Sequence, residues 1–182
     1  MELVLKRHRS IVEVFSELFN KKGDNIAYEE EGVIPKGEDF QIALDKIAAE
    51  IGALTPGSKL IIIDKYFTSV KCSDASQIIE LFFTWASNSH IQEVDIYSDI
   101  KGNCFERDLV KRFDGTITLR LNKIPSQIHD RYWLFIQNGQ PMIVSVGTSL
   151  NGLGKKLCIV QKISETDQAE LIEILVALGI TW

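Results

Sequence analysis

The run KLIIIDKYF at residues 59–67 constrains the fold of this chain more than any other stretch. Its branched apolar residues leave no polar face, as in a strand that is buried on both sides. Apolar residues recur at helical spacing before it, in residues 39–51, and after it, in residues 73–90. A buried strand between two amphipathic helices is typical of a sheet with helices packed on its faces. Asp64 lies at the carboxyl end of this strand, the edge where ligands bind in such sheets, so it could line a pocket.

The rest of the chain extends this alternation. Further strands are predicted at IQEVDIYS, TITLRL, RYWLFI, MIVSVG and LCIVQ, and further helices at residues 2–19, ERDLVKRF and SETDQAELIEILVAL. Asp74 and Gln77 are spaced like a capping box for the helix at 73–90, and Ser164 or Thr166 is the expected cap of the last helix. The polar stretch KKGDNIAYEEEGVIPKGED is expected to be a loop. We therefore predict the α/β class, with a mixed β-sheet sandwiched by helices.

The length and composition indicate one folded domain. The chain has 182 residues, of which 45% are hydrophobic and 25% are charged. We expect a single domain over residues 1–182, with N-terminal helices in 1–57, a core in 58–165 and a C-terminal helix in 166–182. No segment approaches the roughly 18–20 continuous apolar residues of a membrane span. The N-terminus also lacks the pattern of a secretory signal.

The three cysteines, Cys72, Cys104 and Cys158, are an odd number at wide spacing. They form neither a zinc motif nor a disulfide framework, which predicts a reduced, cytoplasmic protein with Cys104 and Cys158 as buried thiols. Several aromatic residues lie on regularly spaced apolar faces and are expected in the core rather than on a base-stacking platform: Phe82, Phe83, Trp85 and Trp133.

Charge is unevenly distributed along the chain. The net charge is −5, which argues against a general nucleic-acid coat. Residues 120–162 nevertheless hold six basic side chains and one acid. A basic segment in an acidic chain favours an anionic ligand, because the local potential governs such binding more than the total charge. Chance segregation of charges onto solvated faces is the alternative.

The stretch IHDRYWLF at residues 128–135 places one of only three histidines beside an acid and a base. If His129 opens the strand, alternation puts His129 and Arg131 on one face and Asp130 on the other. An imidazole next to a guanidinium suits an anion, with one group as nucleophile or acid and the other as a fixed cation. Asp130 is then expected to pair with a neighbouring strand or loop.

A second polar stretch, GTSLNGLGKK at residues 147–156, follows the next predicted strand. Its glycines allow a close approach to a ligand, while short donors and lysines could hold phosphate oxygens. It does not fit the P-loop pattern, and an ordinary hairpin loop capped by Asn-Gly is the alternative. The candidate ligand-binding residues here are Thr148, Ser149, Asn151, Lys155 and Lys156.

Together these stretches resemble the phospholipase D superfamily, whose motif is H-x-K followed by G-S-x-x-N. This chain has HDR at residues 129–131 and GTSLN at 147–151, and its LIIIDKYF segment is similar to the "IIDPYF" opening of such domains. The resemblance is closer to bacterial phospholipase D-like domains whose first motif reads H-D-R and whose second resembles GASLKDLGKK. The C-terminal domain of the eukaryotic MIT-domain protein is similar. The resemblance spans roughly residues 58–165.

The resemblance implies a metal-independent phosphodiesterase built from two halves, without a cofactor. One histidine attacks phosphorus and the other protonates the leaving oxygen. His129 would be nucleophile or general acid, Arg131 would replace the lysine, and Thr148 and Asn151 would bind phosphate. Ile136 stands where the family has an aspartate. Because only one half is present, a complete site would need a twofold homodimer.

Three hypotheses follow. The first is a homodimeric phosphodiesterase, with a nuclease as its expected form. The second is a catalytically degenerate module that binds the phosphate groups of nucleic acid, lipid head groups or a protein partner, as Ile136 suggests. The third is structural, with His129 an ordinary strand-end histidine and residues 147–156 only a turn. Membership in a larger multi-protein system is a further expectation.

Overall fold

The architecture is a mixed sheet with helices on both faces. A computed structural model describes residues 32–182, so the predicted helix at 2–19 and most of the predicted loop after it lie outside the described residues. Within them the strands are β1 (Val33–Ile34), β2 (Ser58–Ile63), β3 (Ile91–Ser98), β4 (Thr118–Lys123), β5 (Tyr132–Gln137), β6 (Gln140–Val146) and β7 (Cys158–Lys162). The α-helices are α1 (Phe40–Ala49), α2 (Cys72–Asn88), α3 (Cys104–Phe113) and α4 (Glu165–Ala177). A short 3₁₀ helix covers Leu150–Gly152.

The strands form one sheet in the order β1-β7-β6-β5-β2-β3-β4. The strands β2, β3 and β4 are parallel, whereas the pairings of β5, β6 and β7, and that of β1 with β7, are antiparallel. The predicted α/β class with a mixed sheet between helices is confirmed. None of the helices within residues 32–182 has the length and hydrophobicity needed to cross a membrane.

Alternation along the central strands divides the core between the two faces. Leu60 and Ile62 of β2 pack with Trp133 of β5 on the face covered by α1, α2 and α3. Ile61 and Ile63 lie on the opposite face, which is covered by α4. The four aromatic residues expected in the core are buried on the face covered by α1, α2 and α3, so that prediction is confirmed: Phe82, Phe83, Trp85 and Trp133.

Side-chain caps fix the starts of three of the four α-helices within residues 32–182. Asp39 precedes α1 and accepts from the backbone N–H groups of Gln41 and Ile42. Asn103 caps α3 and Ser164 caps α4, the latter as one of the two expected alternatives. The capping box predicted for α2 is wrong. That helix starts at Cys72 after Lys71, without a side-chain cap, and Asp74 instead accepts from the Ser73 hydroxyl.

Two further predictions are wrong. Part of the expected loop is β1, whose Val33 and Ile34 pair with β7, because backbone pairing to a distant strand can order even two residues. Cys72 and Cys104 form a disulfide that joins the first residues of α2 and α3, so Cys104 is not a free thiol. Disulfides persist in oxidising compartments, and the cysteine count therefore no longer supports a reduced protein. Cys158 is the free, buried thiol that was expected.

Candidate functional site

The ends of β2 and β5 bring three of the predicted site residues together. Ile63 pairs with Tyr132 in the β2–β5 register, so the next residues, Asp64 and Arg131, meet just beyond the paired strands. Arg131 Nε lies 3.3 Å from Asp64 Oδ1 and donates to Ser149 Oγ at 3.0 Å. The Ser149 hydroxyl in turn donates to Asp64 Oδ1 at 3.0 Å. These residues form what we call the Asp64–Arg131–Ser149 cluster.

The carboxyl group of Asp64 is buried and incompletely hydrogen-bonded. The residue is 1% exposed, and Oδ1 also accepts from the backbone N–H of Tyr66 at 2.9 Å. Its Oδ2 is buried without a hydrogen-bond partner among residues 32–182. Burial raises the pKa of Asp64, while the Tyr66 N–H, the Ser149 hydroxyl and the Arg131 guanidinium oppose that rise. The Asp64 carboxylate is thus held in place but not fully stabilised.

We expect Asp64 to reduce the stability of the fold as pH rises. The pKa of Asp64 in the folded protein lies above the ordinary 3.8. Between these two pKa values the folded state therefore binds more protons than the unfolded chain. The contribution of Asp64 is therefore fully present below pH 3.8 and is lost as pH rises through the folded pKa. We therefore expect the free energy of unfolding, measured in urea between pH 4 and 8, to fall for the wild type relative to Asp64→Asn as pH rises.

Asp74→Asn is the control of opposite sign for this pH dependence. The Ser73 hydroxyl, followed by Lys155, lowers the pKa of the exposed Asp74 carboxyl. Its contribution should therefore be present above pH 3.8 and lost as pH falls. A free energy of unfolding that rises with pH for the wild type relative to Asp64→Asn would contradict the raised pKa of Asp64.

Arg131 also lies beside an exposed aromatic ring. Its Cζ is 5.8 Å from the centre of the Tyr66 ring, and Tyr66 is 47% exposed. The Arg131 hydrogen bond and ion pair both involve Nε, which leaves its two terminal nitrogens without a hydrogen-bond partner among residues 32–182. Sequence reasoning assigned no role to Tyr66, although its position two residues after Asp64 gave a signal that could have placed it at the same edge.

His129 does not lie in the strand. The strand β5 begins at Tyr132, and the exposed His129 lies in the preceding loop. The alternation used to place His129 and Arg131 on one face therefore does not apply at His129. Within residues 32–182 no hydrogen bond or ion pair involves the His129 ring. The expected pairing of Asp130 with a neighbouring strand or loop is also wrong, because Asp130 accepts from the Tyr132 hydroxyl of β5 at 3.4 Å.

Most of the loop at residues 147–156 is bound to other parts of the chain. Asn151 Nδ2 donates to the carbonyl oxygen of Ser69 at 2.9 Å, and Lys155 Nζ lies 3.2 Å from Asp74 Oδ2. A Cβ atom added to Gly152 would lie 2.1 Å from Thr148 Oγ1, so this glycine admits Thr148 rather than a ligand. Lys156 is exposed. Of the candidates in this loop, Ser149 alone joins Arg131.

Ile136, the residue that stands where the phospholipase D superfamily has an aspartate, also lies away from this cluster. Ile136 is 8% exposed and packs in the core on the α4 face of the sheet, opposite to the face on which Trp133 lies. Three of the six basic residues in 120–162 are paired with acids, which reduces the local positive charge: Arg120, Arg131 and Lys155. Among the residues that the structure describes, no group of three or more His, Cys, Asp or Glu side chains is placed to hold a metal ion.

Comparison with known proteins adds little to these observations. No protein-family model and no curated protein matches the chain. Among solved structures, it is similar to polyphosphate kinase from Porphyromonas gingivalis, with a TM-score of 0.49 and 13% sequence identity. The match covers 91% of this chain and 24% of that chain. The chain thus spans about a quarter of the kinase, and we draw no functional argument from the likeness.

Proposed function

We propose that the chain is a phospholipase D-like module that binds a phosphate group at the Asp64–Arg131–Ser149 cluster. The expected ligand is the phosphate group of a phosphodiester. One observation carries this proposal: Arg131 is fixed through Nε, and its two terminal nitrogens have no hydrogen-bond partner in the described part of the chain. A guanidinium group binds phosphate oxygens through two parallel N–H donors, and fixing it beforehand lowers the entropy lost on binding.

The surroundings of Arg131 support binding rather than chemistry. The exposed Tyr66 ring next to it provides an apolar surface for the ester group of a ligand. A histidine nucleophile, in contrast, needs a partner that orients its ring. Within residues 32–182 His129 has no such partner, and Ile136 faces the other side of the sheet. The phosphate would come from nucleic acid, a lipid head group or a protein partner.

Replacing Arg131 by methionine should weaken phosphodiester binding about 10- to 100-fold, the range expected for losing charge-assisted hydrogen bonds. Binding of methyl 4-nitrophenyl phosphate can be measured by NMR titration, with single-stranded DNA and anionic vesicles as larger ligands. Arg131→Lys should recover part of the affinity, because a lysine retains the charge but loses the paired donors.

Arg120→Met is the matched control for Arg131→Met. Arg120 also pairs with acids, but these are Glu93 and Asp95 on the neighbouring strand β3. Asp95 keeps Lys59 as a partner at 2.7 Å when Arg120 is removed, so the control does not leave a buried carboxylate unpaired. Equal affinities of the wild type and Arg131→Met for all three ligands would overturn the proposed function.

Phosphodiester hydrolysis by a homodimer is the second candidate, with a nuclease as its most natural form. The exposure of His129 in the loop before β5 favours it, because a second copy of the chain could approach this ring. One histidine would attack phosphorus and the partner's would protonate the leaving oxygen. Any such activity should disappear in His129→Ala.

The hydrolysis candidate is tested by incubating the protein in EDTA with single- and double-stranded DNA, RNA and bis(4-nitrophenyl) phosphate. The molar mass in solution is measured by light scattering under the same conditions. Cleavage that survives in His129→Ala, or a strictly monomeric active protein, would eliminate this candidate. Binding without turnover at any pH would leave the binding module.

A further inference from the structure

A buried carboxylate directly on the anion-binding arginine is an unusual component of a phosphate site. Asp64 neutralises the charge that would attract a phosphate. It is not the only group that holds Arg131, because Ser149 Oγ accepts a hydrogen bond from Arg131 Nε. We propose that Asp64 makes the site select singly charged phosphodiesters over doubly charged phosphomonoesters. This inference rests on the proposed function and specifies the ligand class of the same site.

The distances place Asp64 close enough to act on a bound anion. Its Oδ1 is 3.3 Å from Arg131 Nε, and an oxygen bound to a terminal nitrogen would add a hydrogen bond of about 2.8 Å. The carboxylate and the ligand would then be separated by little more than the width of one guanidinium group. Because Asp64 is 1% exposed, water and salt screen its charge only weakly.

The charge balance of the pair gives the selectivity. An ionised Asp64 and Arg131 together carry no net charge, but the two terminal nitrogens of Arg131 still present N–H donors to a ligand. A monoanion gains those hydrogen bonds, whereas the second charge of a dianion meets the repulsion of Asp64 as well as the attraction of Arg131. Without the carboxylate, the site would carry a full positive charge and would favour the dianion.

Other ionisable groups near the cluster do not create this difference. Lys65 Nζ lies 6.0 Å from the centre of the Tyr66 ring, and His129 lies two residues before Arg131. Cys158 is buried, which raises the pKa of its thiol. All three stay the same when Asp64 is replaced. The ratio of two ligand affinities, compared between wild type and variant, therefore isolates the effect of Asp64.

A purely structural Asp64 is the competing explanation. Its Oδ1 accepts from the Tyr66 N–H and would fix the turn after β2. Removing this structural hydrogen bond would weaken the binding of all ligands equally. A charge effect instead changes the affinity ratio between ligands of different charge. Among residues 32–182, moreover, Asp64 Oδ2 has no hydrogen-bond partner, so these residues do not fully satisfy a carboxylate at this position.

The test uses three probes at pH 8, where the second phosphate pKa of about 6 leaves a phosphomonoester doubly charged. These are methyl 4-nitrophenyl phosphate (one charge), 4-nitrophenyl phosphate (two charges) and 4-nitrophenyl sulfate (one charge, one ester). We expect the wild type to bind the singly charged pair at least as tightly as 4-nitrophenyl phosphate. Asp64→Asn should raise the affinity for 4-nitrophenyl phosphate about tenfold more than for the other two.

The outcomes separate this inference from the proposed function. An affinity ratio that is the same in wild type and Asp64→Asn overturns the inference, while binding that depends on Arg131 leaves the proposed function intact. Failure of the wild type to bind these probes, single-stranded DNA and anionic vesicles overturns both. If Asp64→Asn does not fold, the wild type decides: tighter binding of 4-nitrophenyl phosphate than of 4-nitrophenyl sulfate overturns the inference, and the reverse order supports it.

Discussion

Replacing Gly154 by alanine should destabilise the protein by about 3–5 kcal/mol, the sum of backbone strain and steric overlap. Gly154 has a φ of +69°, a conformation that residues with a side chain rarely adopt. A Cβ at this position would lie 2.2 Å from the carbonyl oxygen of Glu38. Neither atom can move easily, because the Gly37 N–H donates to the Gly154 carbonyl oxygen at 2.7 Å. Urea unfolding monitored by tryptophan fluorescence measures the change.

Gly139→Ala separates strain from overlap. Gly139 has a φ of +75° in the turn between β5 and β6, but a Cβ there would meet nothing within 4 Å. This variant should lose only about 1 kcal/mol. Equal losses in the two variants would show that the contact between Gly154 and Glu38 has no energetic importance. Gly154→Ala should also weaken binding at Arg131 if the loop that carries Ser149 shifts.

The role of Gly154 also illustrates what a local pattern cannot specify. The sequence predicts that the glycines of GTSLNGLGKK admit a ligand, and a glycine does mark a close approach. The approaching group is the backbone of Glu38, more than a hundred residues away in sequence. Which atom approaches a glycine depends on tertiary contacts. The type of residue was therefore informative, but its partner was not predictable.

The strands and helices were predictable where burial has a clear period. The run around β2 is apolar on both faces, and α2 repeats its apolar residues every three or four positions. Both signals are local. The two-residue strand β1 has no period of its own and is defined by its pairing with β7, so no local pattern could predict it.

For the site, too, local patterns identified residues but not the contacts between them. Asp64 and Arg131 were predictable as candidates, because each adjoins a recognisable strand end. Their contact depends on the register that pairs Ile63 with Tyr132, which is non-local. The shared face of His129 and Arg131 assumed that the strand started at His129. Alternation is informative only inside a strand, and β5 begins three residues later at Tyr132.

Reduction of the disulfide between Cys72 and Cys104 should lower the free energy of unfolding by about 3–4 kcal/mol. The bond closes a loop with a sequence separation of 32 and joins the starts of α2 and α3. Its loss frees the unfolded chain to expand, which is the larger effect of such a crosslink in the loop-entropy description. Unfolding by guanidinium chloride with and without a phosphine reductant measures the difference.

Two variants identify the source of the reductant effect. The double variant Cys72→Ser, Cys104→Ser should already have the lower stability and should not respond to reductant. Cys158→Ala should respond as fully as the wild type, because the Cys158 thiol is free and buried and takes no part in the bond. Three titratable thiols in the unfolded, unreduced wild type would contradict the disulfide. A reductant response that persists in the double variant would assign the effect to another group.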